Sequence, residues 1–494
     1  MKKLHEMSLS SLAGLLKSGE LSPVEICRAF IGRKNEVEPF VGAFLNFNEE
    51  GILEQARLSE NRWKKSSPLS PYDGIPIAVK DNIAVSGERC SCASKILENF
   101  ISPYDAFVIE KLKSKGFVTY GRTNMDEFAM GSSCENSAFG KTFNPWDVSR
   151  VPGGSSGGAA ASVAARQVPV ALGSDTGGSI RQPAAFCGCV GLKPTYGAVS
   201  RYGLVAFASS LDQIGPMSNT VEDAKIIFDL ISGRDKRDST SIDMPSSPVV
   251  QSLPGNDLSG LRIGLPKEYL ETEGLDAGVR KIVMDSLEVF RKQNAEIIEV
   301  SLPAIRYAIA DYYVIATAEA SANLARFDGI RYGRRAQSDD LIGTYFKSRG
   351  QGFGKEVKRR IILGTFVLSS GYYDAYYLKA QKIRTMIRED FRKAFEKCDA
   401  ILSPTSPAPA FKFGEKSDAL QMYLADIYTV SVNLAGVCAV SVPADLHPQL
   451  QMPVGIQLIG SHFGENCILR IADSFEKNRK QREFIPSVQG GINA

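Results

Sequence analysis

The chain has 494 residues, 44% of them hydrophobic and 23% charged, which is the composition of a folded globular protein and excludes a disordered or fibrous chain. Its 58 basic and 55 acidic side chains leave a formal net charge of +3, too little to drive nucleic-acid binding by bulk electrostatics, so any RNA contact would be local or supplied by a partner. Nine cysteines and three histidines (His5, His447, His462) are too few for a disulfide scaffold, and the Cys90/Cys92 and Cys187/Cys189 pairs lack zinc-site spacing, so no metal is expected.

The opening MKKLHEMSLSSLAGLL breaks its apolar positions with Ser and Glu, so it reads as an amphipathic helix and not as a secretory leader. No uninterrupted apolar stretch approaches the roughly 20 residues of a membrane span, and a soluble, cytoplasmic protein is expected. Ser22-Pro23-Val24-Glu25 joins an N-cap serine, a proline at the first helical position and a capping-box glutamate. From Ile75 the pattern changes. The short apolar runs IPIAV, FVTYG, VPVALG, LRIGL, EIIEVSL, AVSVPA and GIQLIG alternate with helical periodicity, which predicts an α/β fold with a largely buried sheet. Residues 356–398 read as one or two long helices, with Gly364 and Gly371 as candidate interruptions. The organisation expected is an N-terminal helical segment (1–70) on a core (71–233), then a Ser-, Asp- and Pro-rich surface connection (234–260). Residues 261–494 complete the same domain.

Three places carry chemistry. Pro152-Gly153-Gly154-Ser155-Ser156-Gly157-Gly158 surrounds two hydroxyls with glycines ahead of an alanine-rich helix, where backbone N–H groups can face a ligand; an ordinary flexible turn reads as well from this loop alone. After VPVALG comes Asp175-Thr176-Gly177-Gly178-Ser179, which sets consecutive N–H groups beside a hydroxyl, as acyl transfer requires. Two such loops flanking one helix–strand unit rarely arise together by chance. The serine's base would be Lys80, at the end of the strand IAVK, where burial lowers the amine's pKa. A snorkelling surface lysine is the ordinary alternative.

Several matches mislead. Gly153-Gly154-Ser155-Ser156-Gly157 fits the G-x-S-x-G nucleophile elbow, which would make Ser155 the nucleophile of an α/β-hydrolase-like esterase with His447 or His462 as base. Asp175-Thr176-Gly177 resembles an aspartic-protease triplet without its second copy. Gly140-Lys141-Thr142 ends like a Walker A loop, but Glu135 stands where that loop needs glycine.

Together, AVKDN, VPGGSSGGAAASVAA and ALGSDTGGSIRQPAAFCGCVGLKPTYGAVSRYGL closely resemble the amidase-signature family. The resemblance implies a mixed central β-sheet between helical layers and a triad of Lys80, Ser155 (in a cis peptide) and the nucleophile Ser179. The oxyanion would be held by N–H groups of Thr176, Gly177, Gly178 and Ser179. The segments TNMDEFAMGSSCENSAFGKTFNPWD, ATAEASANLARFDGIRYG and EVKRRIILGTFVLSSGYYDAYYLKAQKIRT narrow it to the glutamine-hydrolysing A subunits of tRNA-dependent amidotransferases. That branch implies glutamine as substrate, with Arg360 for its carboxylate, Asp426 for its ammonium and Tyr312 as a pocket hydroxyl. It also implies a heterotrimer with subunits B and C, and Glu-tRNA(Gln) contacted mainly through a partner. No cofactor is expected on this chain; ATP and Mg would act on a partner. Asp-tRNA(Asn) stays open as a second substrate, and a stand-alone amidase for small amides stays open as an alternative.

Overall fold

The computed structural model describes residues 3–244, 257–416, 418–480 and 483–488. All seven apolar runs are strands, and the structure adds four more. In chain order the strands are β1 (Phe44–Asn46), β2 (Pro76–Lys80), β3 (Val118–Thr123), β4 (Val170–Asp175), β5 (Val190–Lys193), β6 (Gln213–Ser218), β7 (Arg262–Pro266), β8 (Glu296–Val300), β9 (Ala400–Pro404), β10 (Ala439–Leu446) and β11 (Pro453–Ile459). They form one mixed sheet in the order β1-β3-β2-β4-β6-β5-β10-β11-β9-β7-β8. β3, β2 and β4 run parallel, as do β9, β7 and β8, and antiparallel pairings join the two sets.

Side chains alternate between two cores, as the two-residue period of a strand requires. In β9, Ala400 and Leu402 pack on one side and Ile401 on the other. The first core takes the helices Pro23–Val41, Gly157–Ala164, Val221–Ile231, Ala277–Arg291 and Glu465–Asn478. The second takes Ala308–Asn323, Lys379–Phe395 and Val430–Ala435, with Val357 of Lys355–Val367. The fold is therefore α/β, a mixed sheet with helices on both sides.

Local signals act where they were expected. Ser22 Oγ accepts the Glu25 N–H at 3.2 Å, and Ser22 N–H donates to Glu25 Oε2 at 2.8 Å, so the capping box starts the Pro23–Val41 helix. Of the two expected interruptions, only Gly371 (φ +86°) lies at a break. Gly364 lies inside the Lys355–Val367 helix, where any Cβ would collide with the Thr317 carbonyl oxygen. Its glycine is needed for close approach to the Ala308–Asn323 helix. Of the expected connection, 245–256 lie outside the described residues. Its first part, 234–244, has no helix or strand and is tied down, with Asp235 accepting from Ser200 Oγ at 2.9 Å and from Arg237 Nε at 3.0 Å.

Candidate active site

β2 and β4 are parallel neighbours, so their carboxyl ends open at the same edge of the sheet, the usual place for a site in an α/β fold. Lys80 ends β2, and the second Gly/Ser loop leaves β4. The first loop leads into the Gly157–Ala164 helix and faces the second, because Ser156 N–H donates to the Ser179 carbonyl at 3.1 Å. The peptide between Gly154 and Ser155 is cis.

Lys80 is fully buried, and its Nζ lies 2.7 Å from Ser155 Oγ, 2.8 Å from Ser156 Oγ, 3.0 Å from Ser174 Oγ and 3.2 Å from Ser174 O. Burial brings its pKa down to about 7 against the opposing pull of Asp126, Cys134, Asp175 and Asp212. Hydrogen-bond roles then follow from counting donors. Ser156 Oγ donates to the Ser174 carbonyl at 3.1 Å, so it can only accept from Lys80. Asn82 Nδ2 donates to Ser174 Oγ at 2.9 Å and fixes that hydroxyl. A neutral amine keeps one lone pair, and its closest neighbour, the Ser155 hydroxyl at 2.7 Å, is placed to give its proton to it.

Ser179 is 8% exposed, and its Oγ forms no hydrogen bond among the described residues. The relay from Ser155 to Ser179 is therefore not closed by a hydrogen bond among the described residues. Asp175 anchors the loop around Ser179. Asp175 accepts from Gly178 N–H at 2.8 Å and from Ile180 N–H at 3.2 Å, and pairs with Arg181 Nε and Nη2, each at 3.0 Å. Burial alone would raise the Asp175 carboxyl; the Arg181 guanidinium outweighs it and holds the group well below the carboxylate range. This corrects one expectation. The Gly178 N–H is engaged with a carboxylate and is not free for an oxyanion, whereas the N–H groups of Thr176, Gly177 and Ser179 have no acceptor among the described residues.

Tyr312 lies against this loop, and the turn that carries Asp426 reaches it through Thr429, whose hydroxyl donates to the Gly177 carbonyl at 2.6 Å; the charge of Arg360 acts on both Tyr312 and Asp426. The Tyr312 ring covers Gly177, where an added Cβ would fall 2.6 Å from its Cζ. Arg360 is buried; its Nε donates to Glu356 Oε1 at 2.8 Å, and its guanidinium carbon sits over the rings of Phe207, Tyr313 and Tyr423 at 5.5, 5.3 and 5.8 Å. Its terminal Nη1 and Nη2 have no acceptor among the described residues. Asp426 is buried with only the Ser132 hydroxyl donating to it, and burial pushes its carboxyl up to about 7 while Ser132 and the Arg360 charge pull the other way.

Ser132, Ser174, Asn82 and Gln182 were not singled out from the sequence, and Ser156 was read only as the second hydroxyl of its loop. Gln182 accepts from Gly154 N–H at 3.0 Å and donates to the Ser132 carbonyl at 2.8 Å, so it joins the triad loop to the Asp426 side. Such contacts come from tertiary approach and leave no local signal. Glu356 did leave one, four residues before Arg360 on a predicted helix. The elbow reading of Ser155 loses its base: His447 Nε2 lies 2.9 Å from Asp276 Oδ1, and neither His447 nor His462 hydrogen-bonds to Ser155 or Ser179.

The sequence profile of the Amidase family matches residues 25–469. The chain belongs to the amidase family. Among curated members, the A subunit of a glutamyl-tRNA(Gln) amidotransferase from Geobacillus kaustophilus is 57% identical, covering 96% of this chain and 97% of its own length. One of the same description from Methylacidiphilum infernorum is 56% identical over 99% and 97%. Among solved amidase-family structures, the A subunit of a glutamyl-tRNA(Gln) amidotransferase from Thermotoga maritima superposes with TM-score 0.80 at 41% identity, covering 98% of this chain and 97% of that one. A native peptide amidase from Stenotrophomonas maltophilia superposes with TM-score 0.80 at 27% identity over 97% and 98%. No helix among the described residues is long and apolar enough to cross a membrane.

Proposed function

We propose that this chain is the glutamine-hydrolysing subunit of a tRNA-dependent amidotransferase. It supplies ammonia to a partner, which uses ATP to convert Glu-tRNA(Gln) to Gln-tRNA(Gln). The observation that carries the reading is the pair Arg360 and Asp426 beside the Ser179 loop. A buried guanidinium whose Nη groups have no acceptor, and a buried carboxyl in no ion pair, both among the described residues, together fit an α-carboxylate and an α-ammonium, so the site suits a free amino acid. The names of the full-length relatives support a place in a glutamyl-tRNA(Gln) amidotransferase.

In this reading neutral Lys80 accepts the Ser155 proton as Ser155 accepts that of Ser179, and Ser179 Oγ attacks the side-chain amide carbon. The oxyanion is held by N–H groups among Thr176, Gly177 and Ser179. Return of the proton through Ser155 to the amide nitrogen releases ammonia and leaves a glutamyl ester on Ser179. Water, deprotonated by the same relay, cleaves that ester to glutamate. ATP and Mg belong to the partner's step. Subunits B and C are the partners. Exposed apolar residues support a partner-bound state, since Phe346 and Ile362, 76% and 70% exposed, line one cleft on the helices Leu341–Gly352 and Lys355–Val367.

The test is ammonia release from glutamine by the purified chain, then tRNA amidation with its partners, ATP and Glu-tRNA(Gln) added. Arg360→Ala should lower kcat/KM for glutamine by about 10–150-fold, the worth of a charged hydrogen bond, and change turnover of a small uncharged amide only a few-fold. Amidation of tRNA by the chain alone would refute the reading of this chain as one part of a larger enzyme. Equal losses on both substrates would refute amino-acid recognition by Arg360.

A further inference from the structure

Residues 126–136 touch the Ser155 loop, Asp426 and the start of the Arg360 helix. Asp126 N–H donates to the Ser155 carbonyl at 3.3 Å, and the Asp126 carboxylate accepts from the N–H groups of Cys134, Asn136 and Ser133 at 2.9, 3.1 and 3.3 Å. Ser132 donates to Asp426. Between them Glu127, itself buried, reaches a different element: its carboxylate accepts the Gly354 N–H at 2.8 Å (Oε2) and 3.1 Å (Oε1), as well as the Ser94 hydroxyl.

Gly354 is the N-cap of the Lys355–Val367 helix, which carries Glu356 and Arg360. A glycine cap has no side chain of its own to satisfy the helix end. The job that a glutamate inside the first turn does in a capping box is done here by Glu127, 227 residues away in sequence. Its carboxylate also sits at the positive end of the helix dipole. Position 354 is fitted to that contact, because a Cβ there would collide with Glu127 Oε2. The loop holds a backbone that ordinary residues avoid: Phe128, Ala129 and Cys134 have φ of +50°, +62° and +62°. Such residues persist where the surroundings over-determine them, and they cluster at functional sites.

We propose that Glu127 is a positioning residue for substrate choice: it fixes the Arg360 helix to the segment that holds Ser155, setting the span between carboxylate site and nucleophile. The proposal rests on the glutamine reading above. It names a residue that touches neither substrate nor triad, and whose effect passes through Arg360.

The experiment compares steady-state glutamine hydrolysis with the rate at which a small fluorophosphonate, which has no α-carboxylate, labels Ser179. In Glu127→Ala the KM for glutamine should rise at least tenfold, while kcat and the labelling rate stay within about threefold of the parent. Glu127→Gln, which keeps one acceptor oxygen, should recover most of the loss. Gly354→Ala should raise KM in the parent chain, yet be nearly neutral in the Glu127→Ala background, where the colliding carboxylate is gone. Parallel loss of labelling and glutamine use would overturn the proposal, as would an unchanged KM, or additive effects of the two substitutions. A Glu127→Ala chain that does not fold leaves the Glu127→Gln and Gly354→Ala measurements to decide. Failure of the parent chain to hydrolyse glutamine would instead fault the functional reading.

Discussion

Lys80 and Asp426 give the site its pH dependence, and both work in the same direction. Burial brings the Lys80 ammonium down to about 7, and only its neutral form can accept the Ser155 proton. Acid therefore removes the base, and kcat/KM for any amide should fall below that pH. Burial brings the Asp426 carboxyl up to about 7, and acid removes the charge that would balance an α-ammonium. A glutamine profile should then fall with a limiting slope of about two per pH unit, against about one for a small uncharged amide. Equal slopes would remove Asp426 from ammonium recognition, and a profile flat down to pH 5 would remove Lys80 as the base. At this scale the sequence exposed the unusual residue types: a lysine ending an apolar strand, and serines among glycines. It could not show that Asp175 engages the Gly178 N–H, because that depends on how the loop closes on its own carboxylate.

Elements follow their local signals unevenly. The seven apolar runs became strands because each concentrates apolar side chains, several of them β-branched, over five to seven residues. Four strands went unread: FLN in β1 and VGLK in β5, which are only three and four residues long, QIGPMS in β6 and AILSP in β9. Their places are set by neighbours in the sheet, which a local period does not report. Gly364 shows the same limit. It reads as an interruption, but the helix continues through it because the neighbouring helix leaves no room for a Cβ. Gly364→Ala should therefore destabilise the chain by roughly 1–3 kcal/mol, the usual cost of overpacking, although alanine is the better helix former. Urea unfolding checks this, and a stabilised variant would show that the two helices separate easily. The same substitution should also raise the KM for glutamine, since Arg360 lies one turn away on that helix.

Across the whole molecule, one mixed sheet sets the two halves of the site face to face. The triad comes from the carboxyl ends of β2 and β4 and the loop before Gly157–Ala164, all within the first 180 residues. The amino-acid recognition groups Tyr312, Arg360 and Asp426 come from the last 190. The family resemblance carried the second half forward; bottom-up reading could not, because exposed charge is the default for an arginine or aspartate. The central claim, that Ser179 attacks a glutamine side chain through the Lys80–Ser155 relay, is tested most directly by covalent trapping. A glutamine analogue with an electrophilic ketone in place of its amide is incubated with the purified chain, and the labelled peptide is mapped by mass spectrometry. The adduct should lie on Ser179 and form much more slowly in Lys80→Ala, and Ser179→Ala should lose glutamine hydrolysis by at least about a thousandfold while staying folded. An adduct on Ser155 or on a cysteine, with glutamine hydrolysis surviving in Ser179→Ala, would contradict it.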